Sequence, residues 1–145
     1  GKITSGCIYD PIRKELFYCE LGKGSFLNEK RIRVSGRDNI IKSLINFGSD
    51  EFPLDSIKKL KLSGAQIRIS GCPALDLAWV ASGRIDAYLD KTDLSECVAG
   101  IILVKEAGGF CTDYSMGEKI LEKKEICAGN PSIHNNVIKI MKKNQ

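Results

Sequence analysis

Apolar and polar positions alternate with a period of two through the first quarter of the chain, and helical periods enter later. Gly6-Cys7-Ile8-Tyr9 and Glu15-Leu16-Phe17-Tyr18-Cys19 carry β-branched and aromatic residues on either side of Asp10-Pro11-Ile12-Arg13. That pattern predicts strand, turn, strand. Gly22-Lys23-Gly24 marks another turn before Ser25-Phe26-Leu27-Asn28, and Arg31-Ile32-Arg33-Val34 alternates again. The first 35 residues read as an antiparallel meander. A sheet this small is marginal alone in water, so the pattern predicts a neighbour for it.

After residue 40 strands and helices alternate. Strands are predicted over Ile40 to Phe47, Gln66 to Ile69, Arg84 to Leu89, Phe110 to Asp113 and Ile126 to Gly129. A surface helix is predicted from Pro53 to Leu62, with Leu54, Ile57 and Leu60 inward and the lysines outward. Ser70-Gly71-Cys72-Pro73 has the look of a helix start, with a capping hydroxyl and a proline in the first turn, and Gly83 stops the helix over 74–82. Ser95 is a candidate cap for a helix from Glu96 to Ala107, which is apolar most of the way round and is expected inside the protein. Asn130-Pro131 opens the last helix, with Ile133, Val137, Ile140 and Met141 as its inner stripe. The alternation predicts an α/β fold.

Composition narrows the classes without choosing a function. At 145 residues, 43% apolar and 28% charged, the chain suits one globular domain. The net charge of +4 is spread out and makes no obvious nucleic-acid stripe. Six cysteines at 7, 19, 72, 97, 111 and 127 form no CxxC pair, and His134 is the lone histidine, so no Cys/His zinc set exists. Reduced, mostly buried thiols in a cytoplasmic protein are the expectation. No apolar run reaches the length of about 18 residues that a membrane span needs. The chain opens on Gly1 rather than Met and reads as a processed or truncated piece.

Two segments are candidates for chemistry. The helix mouth at 70–74 offers free N–H groups and a positive dipole end to an anion or to sugar hydroxyls, or is simply a capped helix. Asp90, Asp93 and Glu96 crowd the entrance of the next helix, where the dipole favours carboxylates with or without a metal. Asp76, amid Ala, Leu and Trp, faces solvent or pairs with an arginine such as Arg84, and His134 reads as a surface residue. Residue types and spacing alone end at a soluble α/β domain with a candidate anion site.

Three blocks in order resemble the inositol monophosphatase family of magnesium-dependent phosphatases. They are IYDPIRKELFYCELGKGSFLNEKRIRVS (8–35), ISGCPALDLAWVASGRIDAYLD (69–90), and CVAGIILVKEAGG with the later CAGNPSIH. The resemblance covers essentially this whole chain and about the last half of a typical member. It implies the C-terminal part of a layered αβαβα sugar-phosphatase fold. Residues 1–36 would complete a mostly absent N-terminal antiparallel sheet, and 37–145 would form a C-terminal α/β domain. Carried over, Gly71, Cys72, Pro73 and Asp90 would bind substrate, with Asp90 accepting a ring hydroxyl where Glu is usual. Glu96 would be a metal ligand where the family has Asp.

The implied activity is magnesium-dependent hydrolysis of an inositol or sugar phosphate monoester. The family's main metal loop, Asp-Pro-hydrophobic-Asp-Gly-Thr, is not in this chain: Arg13 stands in Asp10-Pro11-Ile12-Arg13 where the second Asp would be. The chain is therefore expected to be inactive alone. Other readings are a non-catalytic partner of RNA or a transcription complex, and the degenerate remnant of a split gene. A homodimer is one assembly the resemblance allows, and no membrane association is expected.

Overall fold

The computed structural model describes residues 1–49 and 52–143. Strands β1 (Ser5–Asp10), β2 (Glu15–Glu20), β3 (Gly24–Leu27) and β4 (Lys30–Ile32) pair in that order as the antiparallel meander. The Asp10 side chain closes the first turn by accepting from the Ile12 and Arg13 N–H groups, at 3.0 and 3.1 Å. A second sheet, in the order β6-β5-β7-β9-β8, holds β5 (Leu44–Phe47), β6 (Gln66–Ile69), β7 (Ala87–Asp90), β8 (Phe110–Thr112) and β9 (Ile126–Gly129). Strands β6, β5 and β7 run parallel; β9 is antiparallel to both β7 and β8.

The layers follow from which faces are apolar. Helices α2 (Pro73–Ala81) and α3 (Val98–Glu106) lie between the two sheets. Ile8, Phe17 and Cys19 of the meander meet Leu77, Ile101 and Leu103 of these helices, with Tyr88 and Ala128 of the second sheet beneath. Close packing is enforced at Gly100, where a Cβ would come within 2.5 Å of the Leu77 side chain. On the far face, α1 (Leu54–Leu62) and α5 (Pro131–Lys142) cover Ile45, Phe47, Ala87 and Leu89. The fold is α/β, built as sheet, helix pair, sheet, helix pair.

Several expectations need correction. Strand β5 starts at Leu44 rather than Ile40, because the Asn39 carboxamide takes the Ile41 N–H at 2.9 Å and the Ser43 N–H turns back to the Ile40 carbonyl. Likewise β7 starts at Ala87, since the Arg84 N–H caps α2 through the Trp79 carbonyl and Asp86 is tied to Ser35, Arg37 and Leu44. Leu54 is 77% exposed, so α1 buries Ile57 and Leu60 without it. The helix expected from Glu96 begins as a single 3-10 turn, Ser95–Cys97, and Ser95 does not cap it. A short helix, α4 (Ile120–Lys123), was not foreseen; it pins the buried Ile120.

His134 is fully buried, not at the surface. It widens the inner stripe of α5 to Ile133, His134, Val137 and Ile138. The Thr112 hydroxyl donates to the Asp113 carbonyl at 2.8 Å, so at 2.7 Å it accepts from His134 Nε2–H. Burial holds this imidazole below its ordinary pKa, in the neutral form. The cap of α5 stands as expected, with Asn130 Oδ1 accepting from the Ile133 N–H at 2.9 Å. Among the described residues no helix is long and apolar enough to cross a membrane.

Candidate functional site

Parallel strands bring their C-terminal ends to one edge, and in open α/β sheets ligands settle in the crevice beyond that edge. Here the edge carries Asn46 and Gly48 at the end of β5, the loop 70–72 after β6, and Asp90 at the end of β7. Four of the five site residues that the resemblance implies therefore lie at one end of one sheet: Gly71, Cys72, Pro73 and Asp90. Glu96 lies on the 3-10 turn that leads into α3 and is exposed.

The loop is built by its own polar groups. Gly71 has φ +77°, and a Cβ there would meet nothing within 4 Å, so this stretch of backbone is open. Ser70 does not cap α2 as expected. The helix starts at Cys72 without a side-chain cap, with Pro73 in its first turn. Ser70 Oγ instead accepts from the Cys72 N–H at 3.1 Å and donates to Asp76 Oδ1 at 2.8 Å.

Asp76 corrects a second expectation. It neither faces solvent nor pairs with Arg84, which makes a forked pair with Glu15 and lies over the Phe17 ring. Asp76 is 0% exposed, and its Oδ1 also accepts from Asn46 Nδ2 at 2.7 Å. Burial raises its pKa; the Asn46 and Ser70 hydrogen bonds oppose the rise, and the nearby charge of Asp90 adds to it.

Asp90 is 1% exposed and faces inward. Its Oδ2 accepts from the Tyr88 hydroxyl at 2.9 Å and its Oδ1 from the Lys91 N–H at 2.8 Å. The Tyr114 hydroxyl holds the Asp90 carbonyl at 2.7 Å. Gly48 lies flush against this group: a Cβ would fall 2.0 Å from Asp90 Oδ2 and 2.3 Å from the Tyr88 hydroxyl. Burial keeps Tyr88 protonated and pushes the Cys97 thiol up to about 12, with the charges of Asp90, Glu96 and Asp76 adding to the effect on Cys97.

Among the described residues no three His, Cys, Asp or Glu side chains gather as a metal-holding group. Magnesium takes six oxygens in a near-ideal octahedron. An exposed Glu96 and an Asp90 whose two oxygens are already engaged do not make that cage by themselves. What the edge does offer is open loop backbone beside a buried, rigid set of carboxyl, hydroxyl and amide groups. Asn46, Gly48 and Tyr88 escaped sequence reasoning; the only trace was Asp76, a carboxyl within an otherwise apolar helix.

Comparisons with known proteins give the family and the fold. The model of the inositol monophosphatase family matches residues 1–145. An inositol-1-monophosphatase of Mesorhizobium japonicum is 36% identical over 152 residues, covering 99% of this chain and 57% of that protein. A Nus factor SuhB of Xylella fastidiosa is 37% identical over 144 residues, covering 90% and 52%. The crystal structure of the extragenic suppressor protein suhB from Bartonella henselae superposes with a TM-score of 0.95 at 40% identity, covering 100% of this chain and 58% of that one. The chain thus spans little more than half the length of the relatives it matches. With a match along its full length and the same layered architecture, the chain belongs to the inositol monophosphatase family.

Proposed function

We propose that this chain is the C-terminal portion of a magnesium-dependent phosphomonoesterase acting on an inositol or sugar phosphate, and that it is inactive alone. Gly71, Cys72 and Pro73 present loop backbone to the substrate's ring hydroxyls, with Glu96 as one metal ligand; Asp90, 1% exposed with both oxygens bonded, accepts a hydroxyl only where its Tyr88 or Lys91 contact yields. The meander of residues 1–36 completes a larger antiparallel sheet, and 37–145 form the substrate-side domain. The observation that supports this most is that the 70–73 loop and Asp90 lie at the same, C-terminal end of the parallel strands β6, β5 and β7. Because Glu96 is the carboxylate this reading offers to a cation, and among the described residues no metal-holding group gathers, the hydrolytic step is not assigned to this chain by itself.

Titrating myo-inositol 1-phosphate into the isotope-labelled chain tests the substrate face. Amide shifts clustered at Gly71, Cys72 and Lys91 are expected; shifts elsewhere only, or none at millimolar ligand, would count against it. A second reading, a non-catalytic partner of RNA or a transcription complex, is favoured by the relatives that carry the name SuhB. RNA or polymerase pull-down that survives Glu96→Ala would support that role.

A further inference from the structure

Among the described residues, two buried oxygens in this site have no hydrogen-bond partner, and they belong to the two halves of one contact. Asn46 Nδ2 donates to Asp76 Oδ1 at 2.7 Å, while Asn46 Oδ1 and Asp76 Oδ2 are both buried and unpartnered. Were the carboxyl ionised, each planar group would carry a bare acceptor in a low-dielectric interior, a costly arrangement. One proton on Asp76 removes both defects.

We infer that Asp76 is a positioning residue held as the carboxylic acid, giving its Oδ2 proton to Asn46 Oδ1 while Oδ1 receives the Asn46 Nδ2–H and the Ser70 O–H. Acid and amide then close a ring of two hydrogen bonds between β5 and α2. Ser70 extends it: its hydroxyl is spent on Asp76 and its oxygen takes the Cys72 N–H. The loop backbone is thereby set from the sheet, through Asn46, Asp76, Ser70 and Cys72 in turn.

The groups around Asp76 agree with a neutral acid. Burial acts most strongly, and Asp90 on β7 is like-charged. Cys97 of the 3-10 turn is a thiol held protonated chiefly by its own burial, and Tyr88 beside it is a phenol whose proton goes to Asp90, so neither brings a positive charge to Asp76. The importance of the tie for substrate rests on the reading of 71–73 as the substrate-side loop, but the protonation and the tie do not.

The experiment is carbon NMR of the Asp76 carboxyl in the intact chain, assigned by its loss in Asp76→Asn, with Cys72 alkylation rates as the loop readout. At about pH 6, well above the ordinary Asp value of 3.8, the Asp76 signal is expected in the protonated position. Asp76→Asn copies the acid's shape and its donor, so it should hold Tm within about 2 °C and the Cys72 rate within about twofold. Asp76→Ala should lose both, and Ser70→Ala should speed Cys72 alkylation by about threefold or more with Tm nearly kept. An ionised Asp76 at that pH, an Asp76→Asn as damaged as Asp76→Ala, or an unchanged Cys72 rate in Ser70→Ala would each overturn the inference. A protonated Asp76 without inositol-phosphate shifts in the loop would sink only the substrate reading. Shifts with an ionised Asp76 would sink only this inference.

Discussion

Gly48→Ala is a sensitive probe of the site's rigidity. The added methyl would lie 2.0 Å from Asp90 Oδ2 and 2.3 Å from the Tyr88 hydroxyl, where ordinary contacts begin near 3.4 Å. Both obstacles are buried and bonded to each other, and both must give way by more than about 1 Å, so the 2.9 Å Tyr88–Asp90 hydrogen bond is disrupted. Overpacking costs about 1–3 kcal/mol and losing a buried bond to a charged group about 1.5–3 kcal/mol; with partial relaxation the lower part of that sum, roughly 3 kcal/mol, is expected. With an unfolding entropy of about 2 cal/mol/K per residue, that lowers Tm by about 10 °C. Thermal unfolding by circular dichroism measures it. A cycle with Tyr88→Phe sharpens the test, because removing the hydroxyl clears one obstacle and frees the other. The Gly48→Ala penalty should fall by about 1 kcal/mol or more in that background. A Gly48→Ala protein within about 2 °C of the parent, or strictly additive with Tyr88→Phe, would refute the packing argument.

Other consequences are as direct. Leu103→Ala, at a fully buried position between the meander and the second sheet, should cost about 3 kcal/mol in urea denaturation, and under 1 kcal/mol would contradict that placement. Asp113 is pushed upward by burial, but the Gly117 N–H, the Lys123 ammonium and the Ser115 N–H outweigh this and leave its pKa below 3.8. Its contribution is therefore complete above that value and lost as pH falls through the lower folded-state pKa. Asp113→Asn should accordingly flatten the acid limb of the stability curve below about pH 4, and an unaltered limb would be the contrary result. Native-state titration with a thiol reagent should find Cys7 and Cys72 reactive and the other four cysteines silent until unfolding, since those four are buried.

Legibility in the sequence followed the range of the interactions. The turn at Asp10 and the Asn130 cap rest on neighbours two or three residues apart, the meander on pairings at most 15 residues apart, and each was readable. Asp76 was misread because its key partner, Asn46, lies 30 residues away on another element. His134 was misread for the same reason, its Thr112 partner being 22 residues distant. The turn at 40–43 lost its strand to a local competitor, the Asn39 carboxamide, a signal that was present but outweighed by the apolar run. At the site, spacing found the loop and Asp90 but not the floor beneath them. Gly48 matters only because folding sets it against Tyr88 and Asp90, and nothing in its own neighbourhood announces that.

The central claim is that this chain carries a proposed substrate-facing edge without a complete metal cage among its described residues, and phosphate release from myo-inositol 1-phosphate tests it most directly. The purified 145-residue chain with saturating magnesium should release no phosphate above the buffer rate. Magnesium-dependent turnover that disappears in Glu96→Ala would contradict the account.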